Sequence, residues 1–126
     1  MYKLMVSRKF IAQHYLTVPD CGPENELHSH HFAVDVRMEG DELNEHGYLV
    51  DIDDVKQGLD EIESRYKDAT LNDLPEFEGL NPSVEHFSRF CCERMARYVQ
   101  AENVTRIEVR IWEDEEAWAS YEIDRT

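Results

Sequence analysis

Alternation rules both ends of this chain, and helical spacing rules its middle. From Tyr2 to Leu16, the positions Tyr2, Leu4, Val6, Phe10, Ala12, His14 and Leu16 share one parity, broken only by Arg8. A period of two predicts a half-buried strand over 2–17, with His14 on its apolar face. Residues 18–27 carry Pro19, Asp20, Gly22, Pro23 and Asn25 and predict a loop. Alternation returns over 28–39. There Phe32, Val34, Val36 and Met38 share a face with His28 and His30, while His31 points away with Asp35, Arg37 and Glu39. Gly40 to Gly47 is an acidic turn region, and Tyr48-Leu49-Val50 a short extended piece. Val55, Leu59, Ile62 and Tyr66 then recur at spacings of three and four, an amphipathic helix that Asp51 or Asp53 can cap. Residues 67–80, with Asn72, Asp73, Pro75 and Gly79, predict a loop. Asn81 as N-cap and Pro82 at the first helical position open a second helix with the apolar face Val84, Phe87, Cys91, Met95 and Tyr98. Strands are expected over 104–113 and 117–124, and Glu113 continues the inward parity of Ile107, Val109 and Ile111.

The order strand, strand, helix, helix, strand, strand predicts an α+β fold with both helices on one face of an antiparallel four-stranded sheet. The length of 126 residues fits one domain, 1–126. An open sheet of this kind leaves edges that proteins cover or pair, so assembly through them is expected.

Composition narrows the function classes. The formal net charge of −15, from 28 acidic and 13 basic residues, argues against non-specific nucleic-acid binding and against attachment to anionic membranes. No apolar run reaches the roughly 18 residues of a membrane span. Met1-Tyr2-Lys3-Leu4 alternates like a strand instead of forming a signal-peptide core. Three cysteines, two of them the adjacent Cys91 and Cys92, make no disulfide framework, and a reducing, cytoplasmic compartment is expected.

The chemistry concentrates at His28 and His30. If the first two strands pair antiparallel across the 18–27 loop, His14 joins them and three imidazoles meet at one end of the sheet. Neutral imidazole is the commonest metal ligand, and zinc favours nitrogen and sulfur donors. The bland alternative is a set of hydrogen-bonded histidines. Glu113 is either an inward carboxylate or one acid of a charged turn. Glu85, in a first helical turn, is accounted for by the helix dipole. Trp112 and Trp118 read as packing residues.

Phe10-Ile-Ala-Gln-His14, Leu27-His28-Ser29-His30-His31-Phe32, Gly47-Tyr-Leu-Val-Asp51, Leu71-Asn72, Asn81-Pro82-Ser83-Val84-Glu85, and Glu113 followed by Tyr121 stand in the order of the 6-pyruvoyl-tetrahydropterin synthase family, which the chain resembles over nearly its whole length. That family includes the 6-carboxytetrahydropterin synthases of the queuosine pathway. The resemblance implies the tunnelling fold, whose subunits join into barrels as a homohexamer, a dimer of trimers. It implies zinc on His14, His28 and His30, and Glu113 as the anchor of a pterin substrate, in classical members 7,8-dihydroneopterin triphosphate. A carboxylate facing the guanidine-like edge of a pterin can accept two parallel hydrogen bonds.

The chain departs from the family pattern at informative places. The family's His-Gly-His is His28-Ser29-His30 here. The catalytic cysteine normally lies four residues before that pair, where this chain has Glu24; Cys21 lies seven before. Some members carry glutamate there and resemble enzymes that cleave the dihydroneopterin side chain to the 6-hydroxymethyl product for folate synthesis. Aligned on Leu71-Asn72, Lys67 and Asp68 replace the family's Asp-His, so the shuttling histidine is missing. The catalytic candidates are therefore Glu24, Cys21 and Asp68. An aspartate ordinarily ionises near pH ~4, so proton transfer at neutral pH would need its burial. A zinc- and pterin-binding protein without turnover is the non-enzymatic alternative.

Overall fold

A computed structural model describes residues 1–125. Its elements run β1 (Tyr2–His14), β2 (His28–Gly40), α1 (Ile52–Tyr66), α2 (Val84–Met95), β3 (Arg106–Trp112) and β4 (Trp118–Asp124). Short 3-10 turns occupy Gly22–Asn25, Leu71–Asp73 and Pro75–Phe77. The sheet is antiparallel throughout, in the order β1-β2-β3-β4.

The inward parity of each strand makes the core. Phe10, Ala12, Phe32, Val34, Val36, Met38, Ile107, Val109 and Ile111 are buried against Val55, Leu59 and Ile62 of α1 and Phe87, Cys91 and Met95 of α2. Fully burying one large apolar side chain stabilises by about 1.5–3 kcal/mol, so this interface orients the sheet. Arg8, the one charge on the apolar parity of β1, bonds Asp60 at 3.0 Å and Glu63 at 2.8 Å and ties α1 to the strand. Gly40 ends β2 where a Cβ would stand 2.1 Å from the Asn103 carbonyl oxygen, so a side chain there would force the chains apart. The helix-free face is polar, with Arg106 bridging Glu39 and Glu122 across three strands.

Several boundaries differ from the sequence expectation. β1 stops at His14 rather than continuing to 17, because Tyr15 and Thr17 bond asparagine side chains instead of β2. β3 and β4 are shorter than 104–113 and 117–124, since Glu113 to Ala117 form a turn. Tyr48-Leu49-Val50 pairs with no strand; Leu49 and Val50 are buried as part of a bend. Asp51 caps α1 by accepting from the Asp53 N–H. The N-cap of α2 is Ser83, not Asn81: its hydroxyl accepts from the His86 N–H, while the Asn81 side chain is engaged by Thr17. α2 ends at Met95, and Val99 instead of Tyr98 completes the core.

Candidate metal centre

Strand register builds the site. His14, the last residue of β1, lies directly across from His28, the first of β2, and Ala12 lies across from His30. All three histidines sit on the face that holds the core, so their rings converge just above it. Ring centroids are 4.6 Å apart for His14 and His28, 5.1 Å for His14 and His30, and 4.9 Å for His28 and His30. Phe32 closes the floor, 6.0 Å from His14 and 5.4 Å from His30. His14 is 1% exposed. One nitrogen from each ring can be chosen so that all three lie within 4.8 Å of one another.

Backbone carbonyls fix which nitrogens face inward. His14 Nδ1 is 2.9 Å from the Pro82 carbonyl, and His28 Nδ1 is 2.8 Å from that of Glu26. A carbonyl only accepts, so each Nδ1 carries the proton and Nε2 keeps its lone pair. Burial pushes the His14 pKa down, the Pro82 bond opposes this, and the other two histidines push it down further. His14 is therefore neutral at neutral pH, the state a metal ligand requires.

His14 Nε2 and His30 Nε2 are buried and have no hydrogen-bond partner. Glu113, just past β3 and 27% exposed in its side chain, places Oε1 3.2 Å from His30 Nε2 and 3.7 Å from His14 Nε2. The His14 lone pair and a carboxylate face one another here, an arrangement that a cation resolves. Three imidazole nitrogens with an open side match the donor set of a catalytic zinc ion, so the residues fit the metal. Such hydrogen bonds to the outer nitrogens are the usual means of orienting histidine ligands.

Glu113 is presented by the charged turn that links β3 to β4. Asp114 accepts from the N–H groups of Glu116 and Ala117 at 2.8 and 3.0 Å, and these bonds hold its carboxyl below the usual range. Glu113 and His30 border a cleft of about 580 Å³, and Glu113 borders a second of about 220 Å³ beside Glu85 and Trp118. A more apolar cleft of about 440 Å³, between Tyr2 and Tyr48, gathers no histidine and no orphaned polar atom among the described residues. The chemistry lies at the histidine end.

The remaining candidates are placed unequally. Glu24 lies in the 3-10 turn after β1 with its backbone carbonyl bonded by the Leu16 N–H at 2.8 Å, and its negative charge raises the His14 pKa slightly. Cys21 is half-buried at the start of that turn and makes no side-chain cap bond. Asp68 stands elsewhere. It is exposed in a left-handed conformation, φ 60°, with its N–H on the Ile11 carbonyl at 2.7 Å, beyond the outer edge of β1. Among the described residues, no hydrogen bond or ion pair joins it to the histidines. Cys91 and Cys92 are buried in the core, and burial pushes the Cys92 thiol up to about 12, so neither supplies a thiolate.

A four-stranded antiparallel sheet with two helices on one face and histidines converging at one end defines the tunnelling fold. Two solved structures of 6-pyruvoyl tetrahydropterin synthase share it. That from Plasmodium vivax has a TM-score of 0.82 at 15% identity, covering 98% of both chains. That from Caenorhabditis elegans has a TM-score of 0.82 at 15% identity, covering 98% of this chain and 96% of the other. The family model described as 6-pyruvoyl tetrahydropterin synthase matches residues 3–124, and the chain belongs to that family, one of pterin-processing lyases. Among curated proteins, the chain is similar to a "Putative 6-carboxy-5,6,7,8-tetrahydropterin synthase" of Pyrococcus horikoshii, 25% identical over 139 aligned positions covering 93% of this chain and 87% of the relative. A protein of the same name from Archaeoglobus fulgidus is 26% identical, covering 90% of each. Two further Plasmodium vivax structures are of catalytic-residue mutants in which a glutamate is replaced by alanine or by cysteine.

Proposed function

We propose that the chain is a zinc-dependent pterin lyase of the 6-pyruvoyl/6-carboxytetrahydropterin synthase type, acting on 7,8-dihydroneopterin triphosphate. The observation that carries this reading is the pair of buried, unpartnered Nε2 atoms of His14 and His30, converging with His28 beside a cleft that Glu113 borders. His14, His28 and His30 would hold the ion, which when bound supplies Lewis-acid polarisation of the oxygens on the pterin side chain. Glu113 anchors the pterin ring by accepting from its guanidine-like N–H groups. Glu24 accepts the proton released from the side chain and returns it from its carboxyl group. Its backbone carbonyl is bonded by the N–H of Leu16, two residues beyond His14. The names of the archaeal relatives support the synthase type.

A second reading rests on Glu24 itself. Glutamate at the position of the family cysteine favours cleavage of the side chain of dephosphorylated dihydroneopterin, giving a 6-hydroxymethyl product. The Plasmodium vivax protein, in which a glutamate is named as a catalytic residue, lends this support. Asp68, on the outer edge of β1, fits a role at a neighbouring subunit's site in a barrel built through the free edges of β1 and β4, a dimer of trimers.

Incubating zinc-loaded protein with 7,8-dihydroneopterin and, separately, with its triphosphate, followed by chromatography of the pterins, tests both readings. Conversion of the triphosphate to a 6-pyruvoyl or 6-carboxy product supports the first, and a 6-hydroxymethyl product from the dephosphorylated pterin supports the second. Binding of either pterin without turnover would overturn both in favour of a non-catalytic pterin-binding protein.

A further inference from the structure

β1 loses its strand partner after His14, yet the next residues do not lose their hydrogen bonds. The Asn72 carboxamide takes both the N–H and the carbonyl of Tyr15, at 3.0 and 2.9 Å. The Leu16 N–H donates to the Glu24 carbonyl at 2.8 Å, and the Thr17 N–H donates to Asn81 Oδ1 at 2.9 Å. Asn25 completes the set. Its Nδ2 donates to the carbonyls of Leu16 at 3.0 Å and Val18 at 2.8 Å, while its Oδ1 accepts from the Cys21 N–H at 3.0 Å. Both amide hydrogens and the oxygen of one side chain thus bind backbone groups of the segment between His14 and Glu24.

That segment has little else to hold it. Residues 17–20 and 22–27 are exposed, and no residue of the Gly22–Asn25 turn is buried. Hydrogen bonds, not packing, therefore set where Glu24 stands relative to His14. Asn25 is the neighbour of Glu24 in sequence and is bonded to Leu16, two residues beyond His14.

We infer that Asn25 is a positioning residue for Glu24, fixing the backbone that carries it relative to His14; the inference rests on the reading of Glu24 as the group that moves protons. The side-chain chemistry is specific. Aspartate would set a carboxylate against the carbonyls of Leu16 and Val18, and alanine would leave both without donors. A shift of about 1 Å in a catalytic group can cost roughly 100-fold in rate, so a loosened turn should appear in kcat.

The test uses the full zinc-loaded chain with 7,8-dihydroneopterin or its triphosphate, whichever turns over. Asn25→Ala, Asn25→Asp, Glu24→Gln and the Glu24→Gln/Asn25→Ala double variant are compared. Zinc affinity and amide hydrogen exchange across residues 16–25 serve as readouts that do not depend on turnover. Expected for Asn25→Ala is a kcat lower by about 10- to 100-fold, a KM within about threefold, zinc affinity within about twofold, and faster exchange at Leu16. The double variant should be no slower than Glu24→Gln alone, because residues that act as one unit are non-additive. If Glu24→Gln abolishes turnover while Asn25→Ala leaves kcat and Leu16 exchange unchanged, the positioning role is wrong and the Glu24 reading survives. Full activity in Glu24→Gln, or no turnover by the unaltered chain, overturns the Glu24 reading and with it the role of Asn25. A multiplicative loss in the double variant, with zinc affinity falling in parallel, reduces Asn25 to a general structural residue.

Discussion

Two polar clusters flank the core, and they are finished differently. Where α1 and α2 meet the Pro75–Phe77 turn, Glu76 accepts from Arg65 at 2.8 and 2.6 Å, from the Tyr66 hydroxyl at 2.7 Å and from Arg94 at 3.2 Å. Arg94 also reaches Glu61. No polar side-chain atom of this cluster is left buried without a partner. The Arg65 guanidinium holds the Glu76 carboxyl down at about 2, and burial pushes the Tyr66 hydroxyl up. At the histidine site His14 and His30 keep inward nitrogens with no hydrogen-bond partner, and Glu113 adds a negative charge beside them. A protein can bury polar groups for either purpose. A completed network clasps structure, whereas an incomplete one with converging lone pairs is built around something that the chain does not itself supply.

The difference can be measured. The largest effect belongs to the clasp. Glu76→Ala leaves Arg65 and Arg94 facing each other without their shared acid and should cost about 3 kcal/mol in urea unfolding, the lower end of the range for breaking a buried ion pair. A cost under about 1 kcal/mol would show that solvent already carries the network.

Next comes the ion. Zinc at 100 times its Kd should stabilise the wild-type chain by about 2.7 kcal/mol, and His14→Ala should abolish that gain. Equal stabilisation of both proteins by zinc would place the metal somewhere else.

Acid should act through the clasp to a similar extent. The folded Glu76 carboxyl is held at about 2, below its ordinary 4.5, so its contribution is complete above pH ~5 and is lost as pH falls towards 2. Linkage puts that contribution at about 3 kcal/mol. Unfolding curves of wild-type and Glu76→Gln should therefore differ at pH 7 and converge near pH 2; a constant gap would contradict the assignment.

The smallest effect is the most telling about the histidines. In metal-free protein, His30→Phe removes an orphaned nitrogen facing a carboxylate and should be neutral or stabilising by about 1 kcal/mol. A loss above about 2 kcal/mol would mean that His30 already has a structural partner.

Much of the histidine cluster was legible in the sequence, and almost none of the clasp. His14, His28 and His30 share a strand parity, and a period of two converts parity directly into a face. One antiparallel pairing then brought them together. Glu113 was legible for the same reason, as the inward residue following Ile107, Val109 and Ile111. Arg65, Glu76 and Arg94 come from separate elements with no common period, so only the folded chain joins them. Backbone partners are equally silent: nothing in the letters shows that the carbonyls of Pro82 and Glu26 orient two histidines. The Asn81-Pro82 pair pointed to the wrong cap, because a sequence does not reveal that Thr17 competes for the Asn81 side chain and leaves the helix to Ser83. Asp68 drew attention through the family spacing, yet its place beyond β1 depends on how the 67–70 segment docks against Ile11 and Gln13.

Zinc content together with X-ray absorption at the zinc edge, on the purified full chain, tests the central claim most directly. One zinc per chain with three imidazole nitrogens at about 2.0–2.1 Å is the expected result, lost on His14→Ala. Absence of stoichiometric zinc after loading, or a sulfur ligand at about 2.3 Å, would contradict a centre made by His14, His28 and His30.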